Sequence, residues 1–529
     1  MCGIAGAIRV HESKNVVTSI MKKIEHRGEV SHRYEMFCRG DNSLGMHRLG
    51  IVDESHGEQP FSDGEIVGVF NGEIYNYLDL KKKLEKDFSF KTSCDTEVVL
   101  YSYKKWGLDF VHYLDGMFAI AIFNPADGNL ILARDPMGIK PLYYAKYDSG
   151  HVFCSEVKGL SQQNNVHEIQ ELSPGCLWIN GEIKRYFKLP HWSDYQGDDR
   201  TLCLQQFKDR IKSTVKSHVG LDAKKVASLL SGGIDSSLIT YLATLSCPEV
   251  VAYTLASPES PSDDLQAAKD LCAMHNIKHV IVQPTVEEMQ DFYLKSGVFM
   301  TESFEPVLVR NAVSYHFLCR KVVADGFKYC LNGEGADELF GGYDFVREVP
   351  AKYRDDLIWH TLSIIHNTYL KMADRASMFT TLEARVPYMD IGLVKEALEL
   401  PSDFRVTDNS CKLILRKISE GVLPESIIQR HKVGMNEGSG YGRNVPTESI
   451  YFRAVDKFYK EHPEKLEQDK KLCSENKENM ELNLFDIEEV YDFARYVECG
   501  YCKLAQSKER LQLNTGILQK TKDLLKINR

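Results

Sequence analysis

A cysteine directly after the initiator methionine is the first residue of this sequence with the chemistry of a nucleophile. The small side chain of Cys2 permits removal of Met1, which would leave a chain that begins with a free α-amine on Cys2. Such an amine titrates near neutral pH and can act as general base for the thiol of the same residue. The thiol needs this help because the thiolate is the form that attacks. The position favours an amino-terminal nucleophile, although chance also places cysteines there.

Three further segments contain groups that would hold an amino acid for this nucleophile. Arg48 offers a planar guanidinium to a carboxylate, and Asp95 offers a partner to an ammonium group. The Asn71 amide and the Gly72 backbone N–H could form an oxyanion hole for an attacked side-chain amide. Taken singly, these residues are equally well explained as a surface arginine, a turn and a helix cap. Their joint occurrence behind Cys2 favours a site that cleaves the side-chain amide of an amino acid.

These segments resemble the class II glutamine amidotransferase domain, an amino-terminal-nucleophile hydrolase of four-layered α/β/β/α build, from Cys2 to about Tyr186. The resemblance implies catalytic roles for Cys2, Asn71 and Gly72. It implies that glutamine is bound by Arg48, Leu49, Gly50, Ile51, Val52, Asn71, Gly72, Glu73 and Asp95. The family usually has His-Arg-Gly-Pro-Asp where this chain has His26-Arg27-Gly28-Glu29-Val30. Because the family places this loop near the nucleophile, the efficiency of glutamine hydrolysis is left open.

A glycine-rich loop in the middle of the chain is typical of phosphate binding. The segment Ser231-Gly-Gly-Ile-Asp-Ser-Ser237 follows the apolar run 226–230 and opens a helical pattern. Two glycines let backbone N–H groups approach an anion, the helix dipole assists, and Asp235 could hold Mg²⁺. A plain turn is the alternative. The segment differs from the Gly-x-x-x-x-Gly-Lys-Ser/Thr loop, so cleavage between the β and γ phosphates is not implied.

A second constellation supports a nucleotide site. Residues 332–343 combine three carboxylates with four glycines after the strand-like run 329–331. Glycines bring the backbone close to a ligand, and carboxylates bind Mg²⁺ or move protons. Further on, Lys412, Arg416 and Lys432 could hold a leaving pyrophosphate. For isolated residues, cations on a helix surface would be the simpler explanation.

These motifs, over about residues 202–441, resemble the synthetase domain of the asparagine synthetase family and its ATP-pyrophosphatase loop. The resemblance implies that Glu334 acts at the β-aspartyl-adenylate step, and that Asp235 and Asp337 hold Mg²⁺. It implies that Lys412, Arg416 and Lys432 face phosphates or the intermediate. It assigns ATP binding to Leu230, Ser231, Gly232, Gly233, Asp235, Ser236, Leu255, Asn332 and Gly333. The family usually has Ser where Asn332 stands, so the strength of that contact is open.

The elements that must position these residues change character along the chain. Short strand-like runs at 67–70, 117–123, 130–133 and 142–145, with helices at 78–85 and 95–106, predict an α+β domain over residues 2–190. A polar linker follows at 191–200. Alternation of helix and strand over 202–255 then predicts a parallel sheet covered by helices. The second domain is expected over 200–529. The resemblance implies that it is an adenine nucleotide α-hydrolase-like (PP-loop) domain, and the composition predicts a helical C-terminal part with a charged helical tail from about 445.

Composition narrows the class of protein. A chain of 529 residues is too long for one core, and its formal charge of -10 argues against a nucleic-acid carrier. No apolar run reaches the length of a membrane span, and the amino terminus is a poor signal peptide. The 14 cysteines are scattered, and the pair Cys499 and Cys502 is interpreted as ordinary thiols, which together favour the cytoplasm. The oligomeric state is open, with a homodimer as one option.

The resemblance to both domains in the family's order implies a ligase. Its substrates would be glutamine, aspartate and ATP, with Mg²⁺ as cofactor, and its products asparagine, glutamate, AMP and pyrophosphate. Three alternatives stay open. One is an amidotransferase of the same build that acts on another carboxylate, in a peptide or a natural product. A β-lactam-forming relative is a second, although such proteins need no amino-terminal nucleophile. A regulatory or binding protein on a degenerate scaffold is the third.

Overall fold

A computed structural model describes residues 2–29, 34–53, 56–161, 163, 165–195, 204–220, 223–303 and 305–442. Val30, the charged run 457–479, the tail from 445 and the pair Cys499 and Cys502 lie outside the described residues. Met1–Pro284 and Ser314–Gly442 form one compact unit, and residues 285–313 belong to a second. Both sites predicted from the sequence fall in the first unit.

The first part of the chain forms two six-stranded antiparallel sheets. Their strands are β1 (Gly3–Ile8), β2 (Glu35–Arg39), β3 (Asn42–His47), β4 (Phe61–Ser62), β5 (Val67–Ile74), β6 (Gly116–Asn124), β7 (Asn129–Arg134), β8 (Tyr143–Tyr147), β9 (Gly150–Cys154), β10 (Val166–Glu171), β11 (Cys176–Ile179) and β12 (Glu182–Arg185). One sheet has the order β10-β8-β9-β1-β3-β2 and the other β12-β11-β7-β6-β5-β4.

The alternation of side chains along β1 shows how the layers form. Ile4 and Ile8 join a core with residues of β5, β6 and β7, so the two sheets pack face to face. Ala5 and Ala7 face the other way and pack against α1 (Ser13–Lys23). Helices α2 (Tyr77–Leu84) and α3 (Asp95–Trp106) cover the outer face of the second sheet, and α4 (Val157–Leu160) follows β9. This arrangement confirms the predicted α/β/β/α sandwich.

A five-stranded parallel sheet follows, in the order β15-β14-β13-β16-β17. Its strands are β13 (Lys225–Leu229), β14 (Glu249–Leu255), β15 (Lys278–Val282), β16 (Tyr329–Leu331) and β17 (Glu383–Arg385). The sheet confirms the predicted α/β class of the second part. Carboxyl ends of parallel strands meet at one edge, where ligands bind in open α/β sheets. The Ser231 loop follows β13, and Asn332 follows β16, so both nucleotide motifs lie at this edge.

Helices make up most of the remaining second part. They are α5 (Leu204–Val219), α6 (Ile234–Thr244), α7 (Asp263–His275), α8 (Val286–Phe292), α9 (Val298–Thr301), α10 (Pro306–Ala324), α11 (Ala336–Phe340), α12 (Asp344–Glu348), α13 (Arg354–Ser363), α14 (Tyr369–Met378), α15 (Ile391–Glu399), α16 (Leu413–Ser419), α17 (Glu425–Ile428) and α18 (Met435–Gly438). No helix of the described residues is long and apolar enough to cross a membrane.

The predicted elements match these bounds closely. The helix expected over 95–106 begins at Asp95, where Asp95 and Glu97 lie in the first turn and favour the positive end of the helix dipole. In the predicted linker, Trp192–Tyr195 form one 3₁₀ turn. Strand β17 was not expected among the helices after residue 350, because three residues are too few to show a strand pattern. The domain boundaries at 190 and 200 stay a prediction.

Candidate active sites

The backbone of Cys2 is held from both sides at the start of β1. Its N–H donates to Asn71 Oδ1 at 3.0 Å, and its carbonyl accepts from Arg27 Nε at 3.1 Å. Burial raises the pKa of the Cys2 thiol, and the Leu49 backbone N–H and the Arg48 guanidinium oppose that rise. The thiol is therefore fixed in position but protonated at neutral pH, so attack requires a base beside it.

The Cys2 thiol lies in a cavity of about 330 Å³. This cavity gathers most of the residues predicted to bind glutamine, together with four that were not predicted. Its lining is Cys2, Arg48, Leu49, Ile51, Val52, Gln59, Phe70, Gly72, Glu73, Cys94, Asp95 and Glu383. Gly50 and Asn71 do not line it, but each adjoins a residue that does. The structure therefore brings the predicted segments together around the nucleophile.

Asn71 and Gly72 on β5 have the geometry of an oxyanion hole. Asn71 Nδ2 is buried and has no hydrogen-bond partner among the described residues, so it can donate to a ligand. Gly72 has a φ of 154°, and a Cβ there would lie 1.9 Å from the Met117 carbonyl oxygen. Only glycine fits this close strand pairing. The prediction that both residues are catalytic is consistent with this geometry and stays a prediction.

Arg48 and Asp95 hold the two sides of the cavity. Arg48 Nη2 donates to the carbonyl oxygens of Asp53 at 2.6 Å and Val52 at 3.3 Å, which folds the loop 48–53 back on itself. Asp95 Oδ2 accepts from the Ile74 backbone N–H at 3.2 Å. Burial raises the pKa of Asp95 to about 6, so the carboxyl is still mostly ionised at neutral pH. An ammonium group of a ligand would find a negative charge there.

The second part of the chain contributes one wall of this cavity. Glu383 lines it from β17, and Arg385, two residues on, pairs with Glu383 Oε1 at 2.6 Å and with Glu73 Oε2 at 2.9 Å. Sequence reasoning missed Glu383 as a cavity residue. Glu383 and Arg385 lie on one face because alternate residues of a strand do so, but a strand of three residues shows no pattern that could have found them. What the sequence does not show is that this face meets the glutamine cavity.

A buried ion cluster joins the first part of the chain to α14. Arg27 Nη1 lies 2.6 Å from Glu156 Oε1 and 2.8 Å from Asp374 Oδ2, and all three side chains are almost fully buried. Burial by itself favours the neutral acid, but Lys158, Arg375 and Arg27 hold the pKa of Glu156 low. Since Arg27 also binds the Cys2 carbonyl, this cluster fixes Cys2 relative to the second part.

The predicted phosphate loop leaves β13 and enters α6. Gly232 has a φ of 72°, and a Cβ there would lie 2.6 Å from the Asp264 carbonyl oxygen, so the turn requires glycine. The Ser231 and Ser236 hydroxyl oxygens lie 3.0 Å apart and close the loop. The amino terminus of α6 therefore faces the space in front of the loop, which is the arrangement that binds anions.

Two adjoining cavities, together called the nucleotide cavity, open in front of this loop. The larger, of about 730 Å³, is lined by Leu229, Leu230, Ser231, Asp235, Ser236, Leu255, Asp264, Tyr315, Leu318, Asn332, Gly333, Glu334, Asp337, Lys432, Val433, Met435 and Ser439. The smaller, of about 440 Å³, is lined by Ser231, Gly233, Ile234, Asp235, Asp264, Cys411, Lys412, Arg416, Arg430, His431, Lys432 and Val433. Of the residues predicted to bind ATP, Gly232 alone lines neither cavity, and its role is to shape the loop.

Opposite charges are tightly packed where these cavities meet. Lys412 Nζ lies 2.5 Å from both Asp235 Oδ2 and Asp337 Oδ1, and Lys432 Nζ lies 2.5 Å from Asp337 Oδ2. Burial opposes ionisation of Asp337, but the two ammonium groups hold the pKa of this carboxyl well below its usual range. Arg416 instead donates to the carbonyl oxygens of Cys411, Ile428 and Arg430, which orders the following loop.

Glu334 lies beside this cluster and is mostly neutral below pH 8. Burial raises the pKa of Glu334 to about 8, and the Glu338 carboxylate adds to the effect. The Asn332 side chain accepts from the Glu334 N–H at 3.0 Å and donates to the Tyr315 hydroxyl at 2.7 Å. A serine at position 332 would be too short to make both bonds. In this chain Asn332 therefore links the Glu334 backbone to Tyr315, and it also lines the nucleotide cavity.

Comparison with known proteins matches the two parts of the chain to two families. The sequence matches the glutamine amidotransferase domain family over residues 1–174 and the asparagine synthase family over residues 206–361 and 350–448. Glutamine-hydrolyzing asparagine synthetase B of Escherichia coli (strain K12) is 30% identical over 469 residues, which are 83% of this chain and 83% of that protein. The nodule asparagine synthetase of Pisum sativum is 28% identical over 471 residues, 84% of this chain and 79% of that protein.

Among solved structures, the glutamine phosphoribosylpyrophosphate amidotransferase of B. subtilis is 17% identical with a TM-score of 0.31, covering 53% of this chain and 66% of that one. The match to the bacterial synthetase covers most of both proteins. The chain belongs to the family of glutamine-hydrolysing asparagine synthetases.

Proposed function

We propose that the chain makes asparagine in two half-reactions at two separate sites. One site lies in a glutaminase domain over residues 2–190, and the other in a synthetase domain over 200–529 that includes the charged tail from about 445. The observation that carries the proposal is that two neighbouring parallel strands reach both cavities. Glu383, at the amino end of β17, lines the glutamine cavity, while Asn332, which follows the carboxyl end of β16, lines the nucleotide cavity. Opposite ends of two paired strands thus serve the two sites within one compact unit.

In the first half-reaction, the Cys2 thiolate attacks the side-chain amide carbon of glutamine. Removal of Met1 leaves the Cys2 amine as the base that takes the thiol proton, and Asn71 Oδ1, 3.0 Å from Cys2 N, orients that amine. The developing oxyanion accepts from Asn71 Nδ2 and the Gly72 N–H. Ammonia leaves, a thioester forms, and water releases glutamate from Cys2.

In the second half-reaction, the β-carboxylate of aspartate attacks the α-phosphorus of ATP. The bond to pyrophosphate breaks, and Lys412 and Lys432 are placed to neutralise the leaving charge, with Arg416 ordering the loop that carries Lys432. Ammonia then attacks the acyl carbon of β-aspartyl-AMP, and AMP leaves. Glu334 in its ionised form can accept the proton that ammonia loses, and without this step the adenylate stays bound and steady-state pyrophosphate release stops. A closed passage between the sites would keep ammonia neutral and out of bulk water.

The residues of the nucleotide cavity fit Mg²⁺. Asp235 Oδ1 is buried with no hydrogen-bond partner among the described residues, and carboxylate oxygens are ligands that Mg²⁺ prefers. Within the described residues, no group of three or more His, Cys, Asp or Glu side chains could hold a metal ion. A site with only two protein carboxylates suits an ion that takes its other ligands from substrate phosphates. Asp235 and Asp337 would hold the ion, which would neutralise phosphate charge.

The described cysteines support a reducing compartment. All ten described cysteines are free thiols, and most of them are buried. We therefore propose a cytoplasmic location, where thiols stay reduced. Glutamine, aspartate and ATP are the proposed small-molecule partners, and a homodimer is the assembly to test first.

Product analysis tests the proposed function. Purified chain supplied with glutamine, aspartate, ATP and Mg²⁺ is expected to release asparagine, glutamate, AMP and pyrophosphate in equal amounts. Omission of each substrate in turn is the control, and a panel of other acids in place of aspartate tests the acceptor. Formation of ADP and phosphate would contradict the assignment of the Ser231 loop. If another acid were amidated faster than aspartate, that acid would be the acceptor instead of aspartate.

A further inference from the structure

Lys328, just before β16, reaches across to two loops of the glutamine cavity. Its Nζ lies 2.9 Å from the Gly50 carbonyl oxygen and 2.9 Å from Glu29 Oε1. Both charged side chains are partly buried, with 34% of Lys328 and 23% of Glu29 exposed. The lysine belongs to the second part of the chain and both of its partners belong to the first. This contact therefore crosses between the two halves.

The backbone around Lys328 and Glu29 makes the contact part of the cavity wall. The Lys328 carbonyl accepts from the N–H of Glu383, which lines the cavity, at 2.9 Å. The Glu29 N–H donates to the Arg48 carbonyl at 3.0 Å. A lysine that binds both Glu29 and the Gly50 carbonyl thus joins the loop at 48–53 to the strand that carries Glu383.

The position of the Gly50 carbonyl controls the residues on either side of it. Leu49 and Ile51 both line the cavity, and the Leu49 N–H bonds to the Cys2 thiol. Because peptide units are rigid, a shift of the Gly50 carbonyl turns the groups that flank it. Small misplacements of binding groups lower the efficiency of a site strongly.

Glu29 stands where the family usually has proline, which offers no carboxylate. We propose that Lys328, with Glu29, is a positioning residue of the glutamine cavity, supplied by the synthetase half to fix the loop at 48–53. The proposal rests on the proposed function of this cavity as the site of glutamine hydrolysis. It gives Glu29, the residue that departs from the family motif, a defined partner in this chain.

Steady-state kinetics of Lys328→Met test the proposal. The variant is expected to raise KM for glutamine about 3- to 10-fold and to change kcat less than about twofold, because a partly exposed ion pair and one hydrogen bond are lost while Cys2 is untouched. Synthesis from ammonium should stay at the wild-type rate, because the nucleotide cavity is unaltered. Glu29→Gln should also raise KM, but by a smaller factor. Lys328→Arg keeps the positive charge, so its KM should lie much closer to the wild-type value than that of Lys328→Met.

Lys105→Met is the matched control, since Lys105 forms a 2.7 Å ion pair with Asp87 away from both cavities. An unchanged KM in Lys328→Met, or an equal fall in ammonium-supported synthesis, would overturn the proposal. If Lys328→Met fails to fold, the smaller shift in Glu29→Gln decides the matter, and no shift there overturns it. Absence of glutaminase activity in the wild-type chain would instead contradict the proposed function itself.

Discussion

The glutamine cavity and the nucleotide cavity differ in how they stabilise charge at the reacting atoms. In the glutamine cavity, the proposed donors to the developing oxyanion are neutral: the Asn71 amide and the Gly72 N–H. In the nucleotide cavity, Lys412 lies between two carboxylates at 2.5 Å from each. Attack on a neutral amide develops charge on one oxygen, which fixed dipoles stabilise. A polyphosphate brings several charges, which require cations already held in place by carboxylates.

Loss of the nucleophile is the largest change that separates the two cavities. Cys2→Ala is expected to abolish glutamine-dependent synthesis and glutamine hydrolysis, since burial raises the pKa of Cys94, the other thiol of the cavity, and its backbone nitrogen is an amide rather than an amine base. Synthesis from high ammonium should continue at the wild-type rate. Both activities are to be measured on one preparation, with Cys38→Ala, an exposed thiol, as the control. Loss of ammonium-supported synthesis in folded Cys2→Ala would show that the cavities are not chemically separate.

The converse change is Glu334→Gln, which removes a proton acceptor with almost no change in shape. Pyrophosphate release is expected to fall by about 10²–10⁴-fold, the usual contribution of a general acid–base group. Glutamine hydrolysis at Cys2 should survive, and ATP binding should change far less than turnover. Glu420→Gln, an exposed carboxylate at the end of α16, serves as the control. Unchanged pyrophosphate release would remove Glu334 from the catalytic residues.

Stability tests the claim that Lys412 compensates buried charge. Lys412 is 2% exposed, and Lys412→Met would leave Asp235 and Asp337 facing each other without it. Removal of one partner from a buried ion pair costs about 3–5 kcal/mol. We expect a lower free energy of unfolding in urea and loss of pyrophosphate release. Lys417→Met, an exposed lysine on α16, the helix that begins directly after Lys412, should change neither, and equal stability of the two variants would contradict the claim.

The smallest expected effect is a pH dependence of the nucleotide site. The pKa of Glu334 is raised to about 8, so at pH 7 only about one-tenth of the molecules carry the ionised form that accepts a proton. Pyrophosphate release should therefore rise about tenfold from pH 7 to pH 9, with free ammonia held constant. The residual activity of Glu334→Gln should lack this rise. A rate already constant above pH 6 would contradict the raised pKa.

The sequence alone was sufficient to predict that two motifs meet where each motif directly follows a strand of the parallel sheet. Ser231-Gly-Gly and Asn332-Gly-Glu each follow an apolar run, and the carboxyl ends of parallel strands meet at one edge, so their meeting could be predicted. For Cys2, Asn71 and Asp95 the resemblance to a family was needed, because those residues meet only through pairing of strands far apart in the sequence. The four-layered sandwich was likewise predicted from that resemblance.

Contacts between the halves were not predictable. Glu383 and Arg385 lie on a strand of three residues, too short for a periodic signal, and their partner Glu73 is far away in the chain. Within the second half, the pairing of Lys412 with Asp235 and Asp337 was equally unpredictable, because a sequence shows the sign of a charge but not its neighbour. The same holds for Lys328 and Glu29, where a departure from the family motif was visible and its partner was not.

One isotope measurement tests most directly that the two sites act in sequence within one molecule. Wild-type chain is supplied with aspartate, ATP, Mg²⁺, glutamine labelled with ¹⁵N in its side-chain amide, and unlabelled ammonium at equal concentration. We expect the asparagine to carry the label in nearly every molecule, because ammonia released at Cys2 reaches the acyl-adenylate before it mixes with the solution. Asparagine labelled only in proportion to the total ammonium pool would contradict the account.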